Sequence, residues 1–214
     1  VQPRGGTKQQ RPRDRAIEND AVDPQHYQQL LRNWFGNAAR VLQPGGGFYF
    51  WGGYANCANY PAALADSELY FSQAIIWVKE HPVLSRKDFM GNHEWCFYGW
   101  KAGAAHRFFG PANACDVWSV KKVSPTQMVH LTEKPVALAE RAIQYSSQRG
   151  EHVLDLFGGS GSTLLAAERT GRRAFLMELD ELYCDVIIRR WEAFTGRHAE
   201  IVDPQPAPLC QEAA

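Results

Sequence analysis

Apolar side chains recur every three or four positions early in the chain: Tyr27, Leu30, Leu31, Trp34, Phe35, Ala38, Val41 and Leu42. That spacing puts them on one stripe of a helix. Asp23-Pro24 supplies a capping acceptor and a pre-set φ at its start, and Pro44-Gly45-Gly46 ends it. Residues 47–51 then read as a short apolar strand, 54–65 as a helix, and 71–78 and 93–100 as two more strands. From 101 to 127 no period holds and Gly, Ala and Pro are frequent, which marks a functional insertion rather than a core element. Thr132 can cap a helix that takes Pro135 into its first turn and runs to about Ser146. The clearest unit follows: strand 152–157, a glycine-rich turn, helix 163–170 stopped by Gly171, and strand 173–178. A last helix spans roughly 182–194, with Tyr183, Val186, Ile187, Trp191 and Phe194 on one stripe and Gly196 behind it. Residues 1–19 lack apolar periodicity, and the tail from 203, with Pro204, Pro206 and Pro208, is expected to be disordered. Alternating strands and helices indicate an α/β fold with a parallel-rich sheet. The length of 214 residues suits one such domain.

Composition adds exclusions. The opening residues are polar and basic, and no apolar run is long enough to span a membrane. Cys57, Cys96, Cys115, Cys184 and Cys210 are scattered without paired spacing. This argues against a metal site or a disulfide framework and fits a cytoplasmic protein. Formal net charge is zero, but residues 1–15 carry +4 and residues 101–122 carry +3. The second stretch holds Arg107, Lys121 and Lys122, which could track a phosphate backbone; two solvated loops would have the same composition.

The turn Asp155-Leu156-Phe157-Gly158-Gly159-Ser160-Gly161-Ser162-Thr163 carries the chemistry. Glycines let a ligand approach the backbone, and the following helix start presents free N–H groups. A P-loop would need a lysine that is absent here. A dinucleotide fingerprint would need a small residue where Leu164 stands. S-adenosylmethionine carries no phosphate and remains. Its ammonium and sulfonium favour a carboxylate such as Asp155, and its ribose diol favours an acid at the end of the next strand, where Glu178 stands. Taken alone, Glu178 would be an ordinary solvated strand end.

In these residues the chain resembles the DNA methyltransferases that modify exocyclic amines, adenine N6 or cytosine N4. Asp155–Thr163 is similar to their cofactor motif, and His130-Leu131-Thr132-Glu133-Lys134-Pro135 to a second cofactor motif just before it. Cofactor motifs lying late in the chain, behind the target-recognition segment, match the beta permutation class. The likeness extends to Ile17–Asp20, 42–47, 75–79, His93-Glu94, 98–101 and the last helix, about 200 residues in all. It implies a class I, Rossmann-like, mostly parallel sheet with helices on both faces. It further implies a methyltransferase domain over 1–202: a basic loop at 1–20, target recognition at 101–127 and a cofactor half at 128–202. His130, Thr132 and Lys134 become cofactor-side residues, joined by Asp155, Phe157, Gly158, Gly159, Ser160, Gly161, Ser162, Thr163 and Glu178. Double-stranded DNA is the implied partner, within a restriction-modification system.

One part of the pattern is not found. Methylating an exocyclic amine requires flipping the base and holding the amine's protons with acceptors. In this family an Asp-Pro-Pro-Tyr type motif provides them. Here Asp23-Pro24 and Asp203-Pro204 are each followed by Gln, with no second proline and no aromatic ring. In the beta order that motif lies upstream of residue 1, on a central strand between 152–157 and 47–51. A gap is therefore expected there, to be filled from a preceding segment or from a second copy in a homodimer. The chain alone is expected to be inactive, and no catalytic residue is assigned. The base is left open, with adenine favoured on family frequency. Two other readings compete: a degenerate module that binds DNA or protein, and a methyltransferase acting on RNA or protein.

Overall fold

The computed structural model describes residues 22–53, 57–83, 88–124 and 133–202. Helix α1 covers Pro24–Val41, with Asp23 at its cap accepting from the N–H groups of Gln25 and His26 at 3.0 Å each. Strand β1 (Gly47–Gly52), helix α2 (Asn59–Ala65) and strands β2 (Leu69–Val83) and β3 (Gly91–Lys101) follow. Next come β4 (Val117–Ser119), α3 (Val136–Ser146), β5 (His152–Asp155), α4 (Ser162–Thr170), β6 (Arg173–Leu176) and α5 (Glu181–Thr195).

Four strands pair in the order β1-β3-β2-β4, and β5 pairs with β6. β3 is antiparallel to both β1 and β2, while β4 is parallel to β2. β1, β2 and β4 therefore share one direction, and β3 alone opposes them. β5 and β6 are also parallel to each other. Two contacts orient this pair against the larger sheet. The Arg107 N–H donates to the Gly45 carbonyl just ahead of β1, and its guanidinium reaches Glu151 just ahead of β5. At the other end, the Lys134 ammonium lies over the Trp51 ring near the end of β1, and the Lys134 carbonyl accepts from Ser162 in the turn that follows β5. These links are consistent with β1 and β5 running in one direction, and no ladder joins them. The mostly parallel α/β class is the one expected.

Strand alternation divides the larger sheet into two faces. Phe48 and Phe97 pack with α1 and α2 through Leu31, Phe35, Tyr60 and Leu64. Tyr49, Cys96 and Tyr98 point the other way, to Leu138 of α3, and cluster there with Trp118 of β4. β2 serves both faces because its register against β3 slips between Phe71 and Gln73. The extra residue reverses the alternation, so Leu69 and Phe71 face α1 while Ile75 and Trp77 face α3. α3 also packs on α4 through Ile143, Ala166 and Ala167, which cover Val153 and Ala174. Helices lie on both faces of the four-stranded sheet, as expected. On the β5–β6 pair the described helices cover one face, and Leu154, Phe175 and Met177 on the other are about half exposed.

Several boundaries differ from expectation. α3 starts at Val136, because Pro135 (φ −57°, ψ 136°) is extended and occupies the cap position instead of the first turn. β4 arises within the aperiodic 101–127 segment. β5 and β6 end two residues early as strands, though their contact continues: Met177 donates to the Asp155 carbonyl at 2.9 Å and Gly158 to the Met177 carbonyl at 2.7 Å. The expected basic loop at 1–20, the tail from 203, and residues 54–56 of the expected second helix lie outside the described residues.

Candidate functional site

Ligands of open parallel sheets bind outside the carboxyl ends of the strands. Here the strand ends of β5 and β6 carry Asp155 and Glu178, with the glycine turn between them. The turn is held by its own backbone, since Gly161 donates to the Gly158 carbonyl at 2.8 Å and accepts from Leu165 at 3.1 Å. Gly161 caps α4 at φ 79°, a left-handed conformation that costs any other residue strain, and a Cβ there would crowd Ile187 of α5 at 3.1 Å.

Asp155 accepts from the Phe157 N–H at 3.0 Å and from the Thr163 hydroxyl at 2.6 Å. Burial pushes its carboxyl above the ordinary aspartate range, the Glu178 charge adds to this, and Thr163, Phe157 and Lys134 oppose it. Glu178 accepts from the Gly159 N–H at 2.6 Å with one oxygen, and from Leu179 and Asp180 at 2.9 and 3.0 Å with the other. The Ser160 and Ser162 hydroxyls are 3.1 Å apart, and Ser162 donates to the Lys134 carbonyl at 2.8 Å. That bond ties the segment before α3 to the start of α4. Phe157 is 60% exposed and meets Trp34 of α1 edge-on at 4.9 Å.

Lys134 and residues 155–163 with Glu178 therefore come together as expected, while His130 and Thr132 lie outside the described residues. The three basic residues expected at DNA separate. Arg107 is held by Glu151 at 2.5 Å at the amino ends of the strands. Lys121 follows β4 at the carboxyl ends, 80% exposed and 3.6 Å from Glu80, with Lys122 beside it in the chain. Sequence reasoning missed two supports. Arg190 on α5 donates to the Ser160 carbonyl at 2.5 Å and pairs with buried Glu133 at 3.0 Å, clamping the turn to the segment before α3. Trp34 buttresses Phe157. An arginine among the apolar positions of α5 was the available signal for the first; the second had none.

The turn fits S-adenosylmethionine by its chemistry. Two carboxylates stand at opposite sides of a glycine cradle, one suited to a cationic end and one to a diol, with no fixed cation for a phosphate in the turn itself. Among the described residues, no cluster of three or more His, Cys, Asp or Glu could hold a metal, and no helix is long and apolar enough to cross a membrane.

Residues 7–189 match the DNA methylase family of N6/N4 methyltransferases, and the chain belongs to that family. It is similar to the type II methyltransferase M2.DpnII of Streptococcus pneumoniae, 30% identical over 76% of this chain and 66% of that protein. Among solved structures it resembles the M1.HpyAVI-SAM complex, with a TM-score of 0.71 at 24% identity over 79% of this chain and 85% of that one. It also resembles the cytosine-N4-specific PvuII DNA methyltransferase, with a TM-score of 0.69 at 18% identity over 83% and 75% of the two chains. These two likenesses establish the class I methyltransferase fold. The chain spans about two thirds of the length of the curated relatives it matches.

Proposed function

We propose that this chain is the greater part of an S-adenosylmethionine-dependent DNA amino-methyltransferase acting on the exocyclic amine of a flipped adenine (N6) or cytosine (N4). The observation that carries this is the glycine turn, latched to β6 and bracketed by Asp155 and Glu178, in a chain of the DNA methylase family. When bound, the cofactor supplies a methyl group on a sulfonium. Asp155 would hold its cationic end, Lys134 and the preceding His130 and Thr132 its amino-acid end, and Glu178 its ribose diol. Gly158, Gly159, Ser160, Gly161, Ser162 and Thr163 form the cradle, and Phe157 walls it. A module that only binds DNA or protein would have no use for this constellation.

The duplex would lie across the carboxyl ends of the strands, with Lys121 and Lys122 toward its phosphates and residues 101–127 selecting the target. The relatives' type II designation supports a place in a restriction-modification system, and host DNA as substrate implies the cytoplasm. Among the described residues no strand pairs with the outer edges of β1 and β5, and these edges would accept one strand carrying the amine acceptors, from elsewhere in the protein or from a second copy. Calorimetry with S-adenosylmethionine tests the core of this reading: saturable binding supports it, and absence of binding overturns it. Nucleoside analysis of methylated DNA then separates adenine N6 from cytosine N4.

A further inference from the structure

Outside the glycine turn, Lys79 of β2, Glu94 of β3 and Lys134 form a charged cluster at the carboxyl ends of the strands. Lys79 is only 8% exposed, with its ammonium 2.6 Å from one Glu94 oxygen and 5.1 Å from the centre of the Trp77 ring. The other Glu94 oxygen is 3.7 Å from the Lys134 ammonium, itself 5.8 Å from the centre of the Trp51 ring. Burial alone would raise the Glu94 carboxyl, but Lys134 and Lys79 reverse this and hold it below the ordinary range, so it stays ionised. Lys79 is buried and Glu94 about one third exposed, and taking a lysine out of water for an ion pair is a poor device for stability, because apolar side chains of similar volume do as well or better. What this pair does that an apolar one cannot is hold a third charge, Lys134, in one place.

We propose that Lys79 and Glu94 are positioning residues for the amino-acid end of the cofactor, fixing the Lys134 ammonium over Trp51 where it meets the methionine carboxylate. This rests on the reading of the glycine turn as an S-adenosylmethionine site. Lys134 is fixed at both ends: its carbonyl accepts from Ser162 at the start of α4, and its ammonium is drawn across to β3. The ammonium of the methionine part then faces Asp155 and its carboxylate faces Lys134. Glu94 touches neither and acts through Lys134.

The test compares S-adenosylmethionine with 5′-methylthioadenosine, which keeps the nucleoside and lacks the amino-acid end. The intact chain should bind both. Glu94→Gln should weaken S-adenosylmethionine about tenfold, the scale of one charge-assisted contact, while leaving 5′-methylthioadenosine within about twofold. Lys134→Met should show the same selectivity, and the double variant should be no worse than Lys134→Met alone. Should Glu94→Gln fail to fold, Lys79→Met with Glu94→Leu removes both charges of the pair, keeps the space filled, and must show the same selective loss. Equal weakening of both ligands, no weakening, or additive losses overturns the proposal. A wild-type chain that binds neither ligand instead overturns the cofactor reading beneath it.

Discussion

Glu178 accepts three backbone N–H groups and so shapes the turn and the start of the following loop at once. A carboxylate has about four acceptor positions, so one remains for a hydroxyl. Glu178→Ala should weaken S-adenosylmethionine by about 1–3 kcal/mol in calorimetry, the loss of a charged hydrogen bond. Unchanged affinity would remove Glu178 from the site. Asp155 gives a pH signature. Its folded pKa lies above the ordinary 3.8, so the ligand-free fold loses stability as pH rises through that interval. A ligand ammonium needs the carboxylate, so affinity should fall as pH is lowered through the raised value, at higher pH than a solvated aspartate would require. Titrations at several pH values should show this drop, and Asp155→Asn should abolish it along with most of the affinity. These two acids were legible in the sequence because strand, glycine turn and acidic strand end occur in fixed order. The Lys79–Glu94 pair was not, because an ion pair across two strands depends on a register that β2 alters by its bulge.

Among the elements, those with a long period or a covalent stop were readable. α1 has a cap, a proline and an apolar stripe along its eighteen residues, and α4 and α5 end on Gly171 and Gly196, both left-handed. β4 was missed because three residues cannot display alternation, and it forms only by pairing with β2. That pairing changes the expectation for DNA. It delivers Lys121 and Lys122 to the carboxyl ends of the strands, whereas Arg107 is engaged at the amino ends. Replacing Lys121 and Lys122 with Ala should flatten the salt dependence of DNA binding by about one unit for each phosphate left without its lysine. Arg107→Ala should leave that slope unchanged and lower the melting temperature, since it frees Glu151. The opposite assignment of slopes would put the duplex on the other end of the sheet. The turn makes its own demand on this scale. Gly161→Ala should cost about 1–2 kcal/mol in thermal unfolding, because a Cβ is strained at φ 79° and crowds α5.

At the scale of the molecule, the unusual feature is that β1 and β5 run in one direction, bridged by Arg107 at their amino ends and Lys134 at their carboxyl ends, without pairing. Motif order had led to the expectation of a further strand in this place, between the late cofactor unit and the early apolar strand. Direct pairing of β1 with β5 would have closed a smaller sheet, and it does not occur. Among the described residues neither edge has a strand partner; backbone groups left so are costly unless solvated or covered, and they form a template for a further strand. α3 spans the same interval, with Leu138 against the larger sheet and Ile143 against α4, so it holds the two edges at a set separation. A strand entering there would end near Asp155 and Trp51, the place proposed for the amine acceptors. Hydrogen exchange tests this. In the chain alone, the β1 and β5 amides that point away from β3 and β6 should exchange rapidly, while those within the two ladders stay protected. If a second copy supplies the strand, their protection should rise with protein concentration. If an additional segment supplies it, protection should appear in a version carrying an Asp-Pro-Pro-aromatic strand, and DNA methylation should appear in the same sample. Protection of those edge amides at all concentrations in the 214-residue chain, without methylation, would mean the edges are already closed and the acceptors are not missing from this place.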